Sequence, residues 1–260
     1  MKIFSRLSNK LFHRSPKFVA RVASCCETGL VRSENQDSIH INVDRIAFCV
    51  ADGMGGGQGG AEASEIAKNC FIEALANESY YPACIKKVYE AMLTANSEIR
   101  RVAKSKGYSH MASTFVAFLV NAMTGEGVIG YVGDSRAYLY RDGALKQLTR
   151  DHTLATELAQ RTAEIGGNVA KLERFSHILT RALGTENDVF PEWRKADVKE
   201  GDWFLLCSDG LYNMMDSSSI ASAFEHATSP EDVLRTLCAN VIIGGAIDNY
   251  SAVVVKIESN

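Results

Sequence analysis

Two apolar runs in this chain end in the same pair of residues, Asp-Gly. The first is FCVADG at residues 48–53, and the second is FLLCSDG at residues 204–210. A short apolar run bounded by glycine is typical of a buried β-strand. A strand that stops at Asp52 or Asp209 would place a carboxylate at the rim of a sheet, and the glycine would let the backbone approach a ligand closely. One Asp-Gly pair is weak support because turns favour it, but two suggest carboxylates directed at one point.

Three further aspartates lie at predicted strand ends, namely Asp37, Asp134 and Asp248. Crowded carboxylates repel one another, so such a cluster needs cations to be stable. Oxygen ligands without histidine or cysteine favour Mg²⁺ or Mn²⁺ over zinc. The alternative is that these are turn and cap aspartates scattered over the surface. That alternative is the better one for any single residue and the less attractive one for the set.

The composition is that of an ordinary soluble protein. The chain has 260 residues, 46% hydrophobic and 23% charged, which suits one large domain or two small ones. A net charge of -3 gives no reason to expect nucleic acid as a partner. No run approaches the ~20 apolar residues of a membrane span. Seven cysteines without a CxxC pair indicate free thiols, and we therefore expect a cytoplasmic protein.

The first sixteen residues differ from the rest. A basic residue recurs at every fourth position from Lys2 to Arg14, large apolar residues occupy a second stripe at helical spacing, and Pro16 closes the segment. We favour a loose basic tail or a short helix packed on the body. The alternative is an interfacial helix in residues 1–15 that touches anionic lipid or a partner protein.

The remaining pattern predicts an α+β layered domain, because strands cluster around helix pairs and do not alternate with helices. A helix and then a mobile flap are expected over residues 153–177. An Asp142-Gly143 hairpin turn is expected after the strand at 137–141. The other predicted strands cover residues 18–23, 38–42, 45–51, 113–121, 127–132, 203–207 and 251–257, and the other helices 61–76, 83–104, 219–227 and 230–241.

Seven segments in order carry a family resemblance: GLVRSENQD (29–37), ADGMGG (51–56), VGDSR (132–136), LTRDH (148–152), LTRALG (179–184), SDGL (208–211) and DNYSAVVV (248–255). The series resembles that of bacterial protein phosphatase 2C, a metal-dependent phosphatase family, over about residues 18–257. The resemblance implies a four-layer α/β/β/α sandwich of two antiparallel sheets flanked by antiparallel helix pairs. Residues 17–260 would form this catalytic domain, and residues 1–16 a basic N-terminal extension.

The resemblance also implies a binuclear metal centre and a role for each motif residue. Two divalent cations, Mn²⁺ or Mg²⁺, would be bound, with a third, weaker site. Arg32 would contact the substrate phosphate, as suits a fixed, always-charged fork of donors. The metal residues would be Asp52, which bridges both ions, Gly53 through its carbonyl, Asp37, Asp209 and Asp248 directly or through water, and Asp134 at the third site.

The implied activity is hydrolysis of phosphoserine and phosphothreonine in proteins, opposing a bacterial serine/threonine kinase. Two metals ~3.5–4 Å apart can lower the pKa of a bridging water and neutralise phosphoryl oxygens, so no protein nucleophile is needed. Met54 stands where some members carry a histidine proposed as general acid, and His152 is interpreted as a structural residue near a turn. A non-catalytic phosphoprotein-binding domain and a hydrolase of small phosphate esters are the alternatives.

Overall fold

The computed structural model describes residues 16–55, 58–76, 85–164 and 172–260. The strands are β1 (Phe18–Glu27), β2 (Asp37–Asn42), β3 (Ala47–Met54), β4 (Ala112–Ser113), β5 (Phe115–Val120), β6 (Glu126–Val132), β7 (Arg136–Arg141), β8 (Ala144–Gln147), β9 (Glu192–Asp197), β10 (Trp203–Cys207) and β11 (Tyr250–Ser259). The helices are α1 (Gln58–Ala76), α2 (Ile85–Lys106), α3 (Leu154–Glu164), α4 (Asp209–Tyr212), α5 (Ser217–Glu225) and α6 (Pro230–Ile243).

The strands form two antiparallel sheets. The first has the order β1-β11-β10-β7-β8, and the second has the order β2-β3-β5-β6-β9, with β4 paired to β3. The longest pairing joins β1 to β11, from Phe18 opposite Ser259 to Glu27 opposite Tyr250. The chain crosses between the sheets several times, so each sheet contains strands from both halves of the sequence.

Alternate residues along the central strands face different layers of the structure. In β3, Phe48 and Val50 join the core between the two sheets, while Cys49 and Ala51 face α1 and α2. In β10, Phe204 belongs to the core between the sheets, and Leu205 faces the α5 and α6 side. Both faces of each central strand are therefore buried, which is why these strands read as continuous apolar runs. The four-layer α/β/β/α sandwich predicted from the sequence is confirmed.

Several element predictions need correction. The strand β9 was not predicted, and β8 was indicated only by the hairpin turn that precedes it, in which Asp142 and Gly143 both have positive φ. Helix α1 begins at Gln58 and not at residue 61. Over residues 153–177 the predicted helix is present as α3, while residues 165–171 of the predicted flap lie outside the described residues. The basic segment at residues 1–15 also lies outside them.

Two further expectations can be compared with the structure. In the described part of the chain, no helix is both long enough and apolar enough to cross a membrane. Six cysteines of that part are free thiols.

Candidate metal centre

The five predicted aspartates all lie at one end of the sandwich. Asp37 opens β2 and stands directly opposite Asp52 in β3. Asp209 follows β10 and begins α4, and Asp248 lies two residues before β11. Asp134 occupies the turn between β6 and β7. A cleft of about 740 Å³ opens there, and its lining includes six of the seven predicted site residues: Arg32, Asp52, Gly53, Asp134, Asp209 and Asp248.

The structure gives a packing reason for the glycines of the two Asp-Gly pairs. A Cβ on Gly53 would lie 1.9 Å from the carbonyl oxygen of Gly60, at the start of α1. A Cβ on Gly210 would lie 2.0 Å from the carbonyl oxygen of Asn249. Real Cβ atoms are not found so close to a backbone oxygen. Each glycine therefore admits a neighbouring backbone segment of the protein next to a site aspartate.

Asp37 lies behind the cleft and does not line it. Its Oδ2 accepts a hydrogen bond from Ser208 Oγ at 2.7 Å, which joins the second sheet to the end of β10 in the first. Its Oδ1 is buried and has no hydrogen-bond partner. Burial raises the pKa of Asp37 to about 6, against the hydrogen bond from Ser208 that lowers it. A buried carboxylate oxygen without a donor is costly, so it is a candidate for a cation or an ordered water.

The other carboxyl groups are also buried and repel one another. Burial, followed by the charges of Asp37 and Asp209, raises the pKa of Asp52 well above its ordinary value. Burial and the charge of Asp209 raise the pKa of Asp134 to about 7. The carboxyl groups of Asp52 and Asp209 are close enough for each to shift the pKa of the other. Carboxyl groups that are crowded together in a buried cluster bind protons more tightly, and a bound cation would favour their ionised form instead.

Arg32 brings a positive charge to this cluster. Its Nη2 donates to Asp248 Oδ2 at 2.8 Å, and the Arg32 side chain is 57% exposed. The residues are 216 positions apart in the sequence, so the pairing depends on the fold. The guanidinium therefore stands at the mouth of the cleft with most of its donors open to a ligand.

The site fits divalent metal ions by its chemistry. The donor set is carboxylate and carbonyl oxygen, the preferred set for Mg²⁺ and Mn²⁺. Within the described ranges, however, no group of three His, Cys, Asp or Glu side chains is arranged to hold an ion as it stands. Asp248 is instead paired with Arg32. Ligation by Asp248 would therefore require this pair to separate.

Several residues that hold the site in place had no assigned role in the sequence analysis. The Asn249 side chain accepts from the Gln36 backbone N–H at 2.9 Å and donates to the carbonyl oxygens of Thr28 and Glu34, also at 2.9 Å. It thereby fixes the loop that carries Arg32. The sequence signal that could have identified Asn249 was its position directly after Asp248 in the last of the seven motifs.

Thr114 supports Asp52 from the other side. Its Oγ1 accepts from the Asp52 backbone N–H at 3.0 Å, and its own N–H donates to the Asp52 carbonyl oxygen at 2.8 Å. The Thr114 hydroxyl also lies 2.6 Å from that of Ser135, next to Asp134. Thr114 therefore connects the backbone of Asp52 to the side chain of Ser135, the neighbour of Asp134.

The opposite wall of the cleft is formed by residues 177–186, among them His177 and Arg181. Arg181 Nη1 donates to Glu192 Oε1 at 3.0 Å. The same oxygen lies 3.3 Å from Nε2 of buried His152, whose Nδ1 accepts from the Gly133 N–H at 3.1 Å. Burial lowers the pKa of His152, so the ring is neutral with its proton on Nε2. Its Nε2 is buried and makes no hydrogen bond of normal geometry, so the interpretation of His152 as a structural residue stays a prediction.

Comparison with known proteins places these features in a family. The sequence pattern of the protein phosphatase 2C family matches residues 27–239. The chain belongs to the protein phosphatase 2C family. The resemblance recognised in the seven sequence segments is thereby confirmed.

Relatives within the protein phosphatase 2C family cover most of this chain. The serine/threonine protein phosphatase PstP of Mycobacterium tuberculosis is 33% identical over 92% of it, although the chain spans only 45% of the length of PstP. The serine/threonine phosphatase stp of Listeria welshimeri is 32% identical over 88% of this chain and 93% of its own length. A crystal structure of the PstP catalytic domain in complex with two manganese ions covers 93% of this chain and 99% of that domain, with 31% identity and a TM-score of 0.78.

Proposed function

We propose that this protein is a metal-dependent protein serine/threonine phosphatase. The observation that carries the proposal is the cleft at one end of the sandwich, where buried carboxyl groups with raised pKa values face an exposed arginine. A cluster of acids beside a cationic anion-binding group suits a phosphate ester that is bound together with cations. The relatives that are named serine/threonine phosphatases, and the one solved with two manganese ions, support the same function.

Two divalent cations, Mn²⁺ or Mg²⁺, would be held by Asp52, the Gly53 carbonyl, Asp37, Asp209 and Asp248, with Asp134 at a third, weaker site. When bound, such ions neutralise phosphoryl oxygens and activate water for attack on phosphorus. Asp52 would contribute to holding both ions, because it stands opposite Asp37 in the strand pair and its pKa is raised by the charges of both Asp37 and Asp209. Asp37 would contribute its unpartnered Oδ1 while Oδ2 stays on Ser208.

Arg32 would bind and orient the phosphate. Its guanidinium is paired through one nitrogen with Asp248 in this structure, and separation of that pair would leave it free for the phosphate, a contact among the stronger hydrogen bonds. The loop that carries Arg32 is fixed by Asn249, so the donors are held in place before substrate arrives. The substrates would be proteins phosphorylated on serine or threonine, and the enzyme would oppose a bacterial serine/threonine kinase.

The decisive experiment measures phosphate release from a phosphothreonine peptide and from para-nitrophenyl phosphate. We expect EDTA to abolish both activities and Mn²⁺ or Mg²⁺ to restore them. Asp209→Asn should remove nearly all turnover while circular dichroism stays unchanged. Asp44→Asn, in the exposed β2–β3 turn, is the matched control and should retain wild-type turnover.

Two results would overturn the proposal. Full activity of the metal-stripped enzyme would exclude the metal mechanism. Turnover of para-nitrophenyl phosphate with no turnover of any phosphopeptide would favour a hydrolase of small phosphate esters.

A further inference from the structure

An exposed apolar patch lies directly beside the proposed phosphate site. Ten large apolar side chains are exposed among the residues that the structure describes, and five of them come from two short segments. These five are Leu30 (72% exposed), Val31 (68%), Ile242 (54%), Ile243 (83%) and Ile247 (55%). We call them the aliphatic patch. Scattered single apolar residues are normal on a surface, but a concentration of this kind marks an interaction site.

The fold brings the two segments together. The backbone N–H of Leu30 donates to the carbonyl oxygen of Ala246 at 2.8 Å, which links the loop before Arg32 to the loop after α6. A Cβ on Gly29 would lie 2.2 Å from the carbonyl oxygen of Asp248, so the two backbones are in direct contact there. Ala246 itself is buried with a positive φ of 41°, a rare conformation for alanine. The backbone thus adopts a costly turn immediately before Ile247, which is left exposed.

The patch is continuous with the ligand-binding end of the cleft. Val31 immediately precedes Arg32, and Ile247 immediately precedes Asp248. The side chains of Arg32 and Asp248 are joined at 2.8 Å, so both segments of the patch end at the same ion pair. Neighbouring Cα atoms are about 3.8 Å apart, and an extended peptide advances about 3.3–3.6 Å per residue. A peptide whose phosphate reaches Arg32 would therefore lay residues one to three positions away over the patch.

We propose that the aliphatic patch binds apolar residues that flank the phosphorylated residue of a protein substrate. This inference rests on the proposed phosphatase function and adds a preference of that same site. A second copy of the chain seated on the patch would obstruct the mouth of the cleft at Arg32. An anionic lipid surface would meet the acidic cleft and the exposed Glu34. The flanking residues of a peptide enter together with the phosphate and meet neither obstacle.

The test compares two phosphothreonine peptides of equal charge. One has leucine at the three positions on either side of the phosphothreonine, and the other has serine there. We expect the wild-type enzyme with Mn²⁺ to favour the leucine peptide in kcat/KM by roughly tenfold, as partial burial of one or two aliphatic side chains allows. Leu30→Ser with Ile243→Ser should reduce that preference to about twofold or less. Each kcat/KM on a peptide is divided by the kcat/KM of the same enzyme variant on para-nitrophenyl phosphate.

The matched control is Val43→Ser, which alters an exposed aliphatic residue in the β2–β3 turn away from the cleft. It should keep the wild-type preference. Binding of the two peptides is also measured by fluorescence anisotropy in an Asp209→Asn background, with and without the patch substitutions. That measurement decides the docking without any turnover.

Several outcomes would overturn the inference. One is equal kcat/KM of the wild-type enzyme on both peptides, and another is an equal loss of kcat/KM on both peptides in the patch variant. Sedimentation that finds a wild-type dimer and a monomeric patch variant would assign the patch to self-association. Patch-dependent binding to anionic vesicles would assign it to lipid. Failure of the wild-type enzyme on every ester would contradict the proposed function, and anisotropy would still decide whether the patch binds flanking leucines.

Discussion

Replacing Asp134 by asparagine should stabilise the metal-stripped protein at alkaline pH. Burial and the charge of Asp209 raise the pKa of Asp134 from 3.8 to about 7. The difference of about three pKa units corresponds to about 4 kcal/mol, since one unit is 1.36 kcal/mol. The folded state binds this proton more tightly than the unfolded state does. The contribution of Asp134 to stability is therefore fully present below pH 3.8 and lost as the pH rises through about 7.

Asparagine cannot ionise, so Asp134→Asn avoids that loss, although its amide still pays for burial. We expect a net gain of about 2 kcal/mol at pH 8, or half of the full amount. In a chain of this size that gain raises Tm by about 4–8 °C. At pH 5 the wild-type carboxyl is already protonated in the folded state, and the gain should fall to less than half.

The assay is thermal unfolding in EDTA at pH 8 and pH 5, followed by circular dichroism. Asp44→Asn is the control, because Asp44 is exposed in a turn and its replacement should change stability by less than about 0.5 kcal/mol. An unchanged or lower Tm of Asp134→Asn at pH 8 would refute the idea that ionisation of the buried Asp134 carboxyl group destabilises the fold. An equal gain at both pH values would show that the gain does not come from ionisation.

Three further predictions concern Arg32, Gly210 and the N-terminal segment. Arg32→Ala should lower kcat/KM on a phosphopeptide roughly ten- to hundredfold, with no loss of Mn²⁺ affinity because Asp248 is released from its partner. Steady-state kinetics would measure the first effect and titration calorimetry the second, and an unchanged kcat/KM would refute the phosphate contact. Gly210→Ala should lower Tm and turnover together, since its Cβ would meet the Asn249 carbonyl oxygen at 2.0 Å; a wild-type Tm would contradict this. Deletion of residues 1–15 should leave turnover of para-nitrophenyl phosphate unchanged, and a collapse with the fold intact would place that segment in the active site.

The central strands could be predicted from the sequence because they are buried on both faces and therefore appear as continuous apolar runs. The strand at 203–207 was predicted with its observed bounds, since every residue of β10 is buried. The strand β9 was missed because its sequence, EWRKAD, exposes most side chains and forms the edge of its sheet. An edge strand has one neighbour and an open face, so it carries neither an apolar run nor a clear alternation.

The position of the five aspartates at or near strand ends could also be predicted, although β3 continues two residues past Asp52 to Met54; their contacts could not be predicted. Motif order places Asp52 and Asp209 at the ends of two buried strands, and the structure brings both to one cleft. The pairing of Arg32 with Asp248 joins residues 216 positions apart and depends on how two loops meet. Local spacing holds no information about such a contact.

The site depends on both sheets, and this explains why polar bridges gather around it. Asp37 and Asp52 belong to the second sheet, while Asp209 and Asp248 flank strands of the first. Away from the cleft, the sheets are held by apolar packing, in which the rings of Phe118 and Phe204 lie 4.1 Å apart between centroids.

Apolar packing has no directional preference and cannot by itself fix carboxyl oxygens to within a few tenths of an ångström. At the cleft the sheets are joined instead by directional hydrogen bonds, from Ser208 to Asp37 and from the Gln36 backbone to Asn249. Hydrogen bonds of this kind orient the acids even though their mutual repulsion opposes the approach. The carboxyl groups repel one another when no cation is bound, and hydrogen bonds from both sheets keep them together. Cation binding would therefore lower the free energy of the cluster, as the proposed chemistry requires.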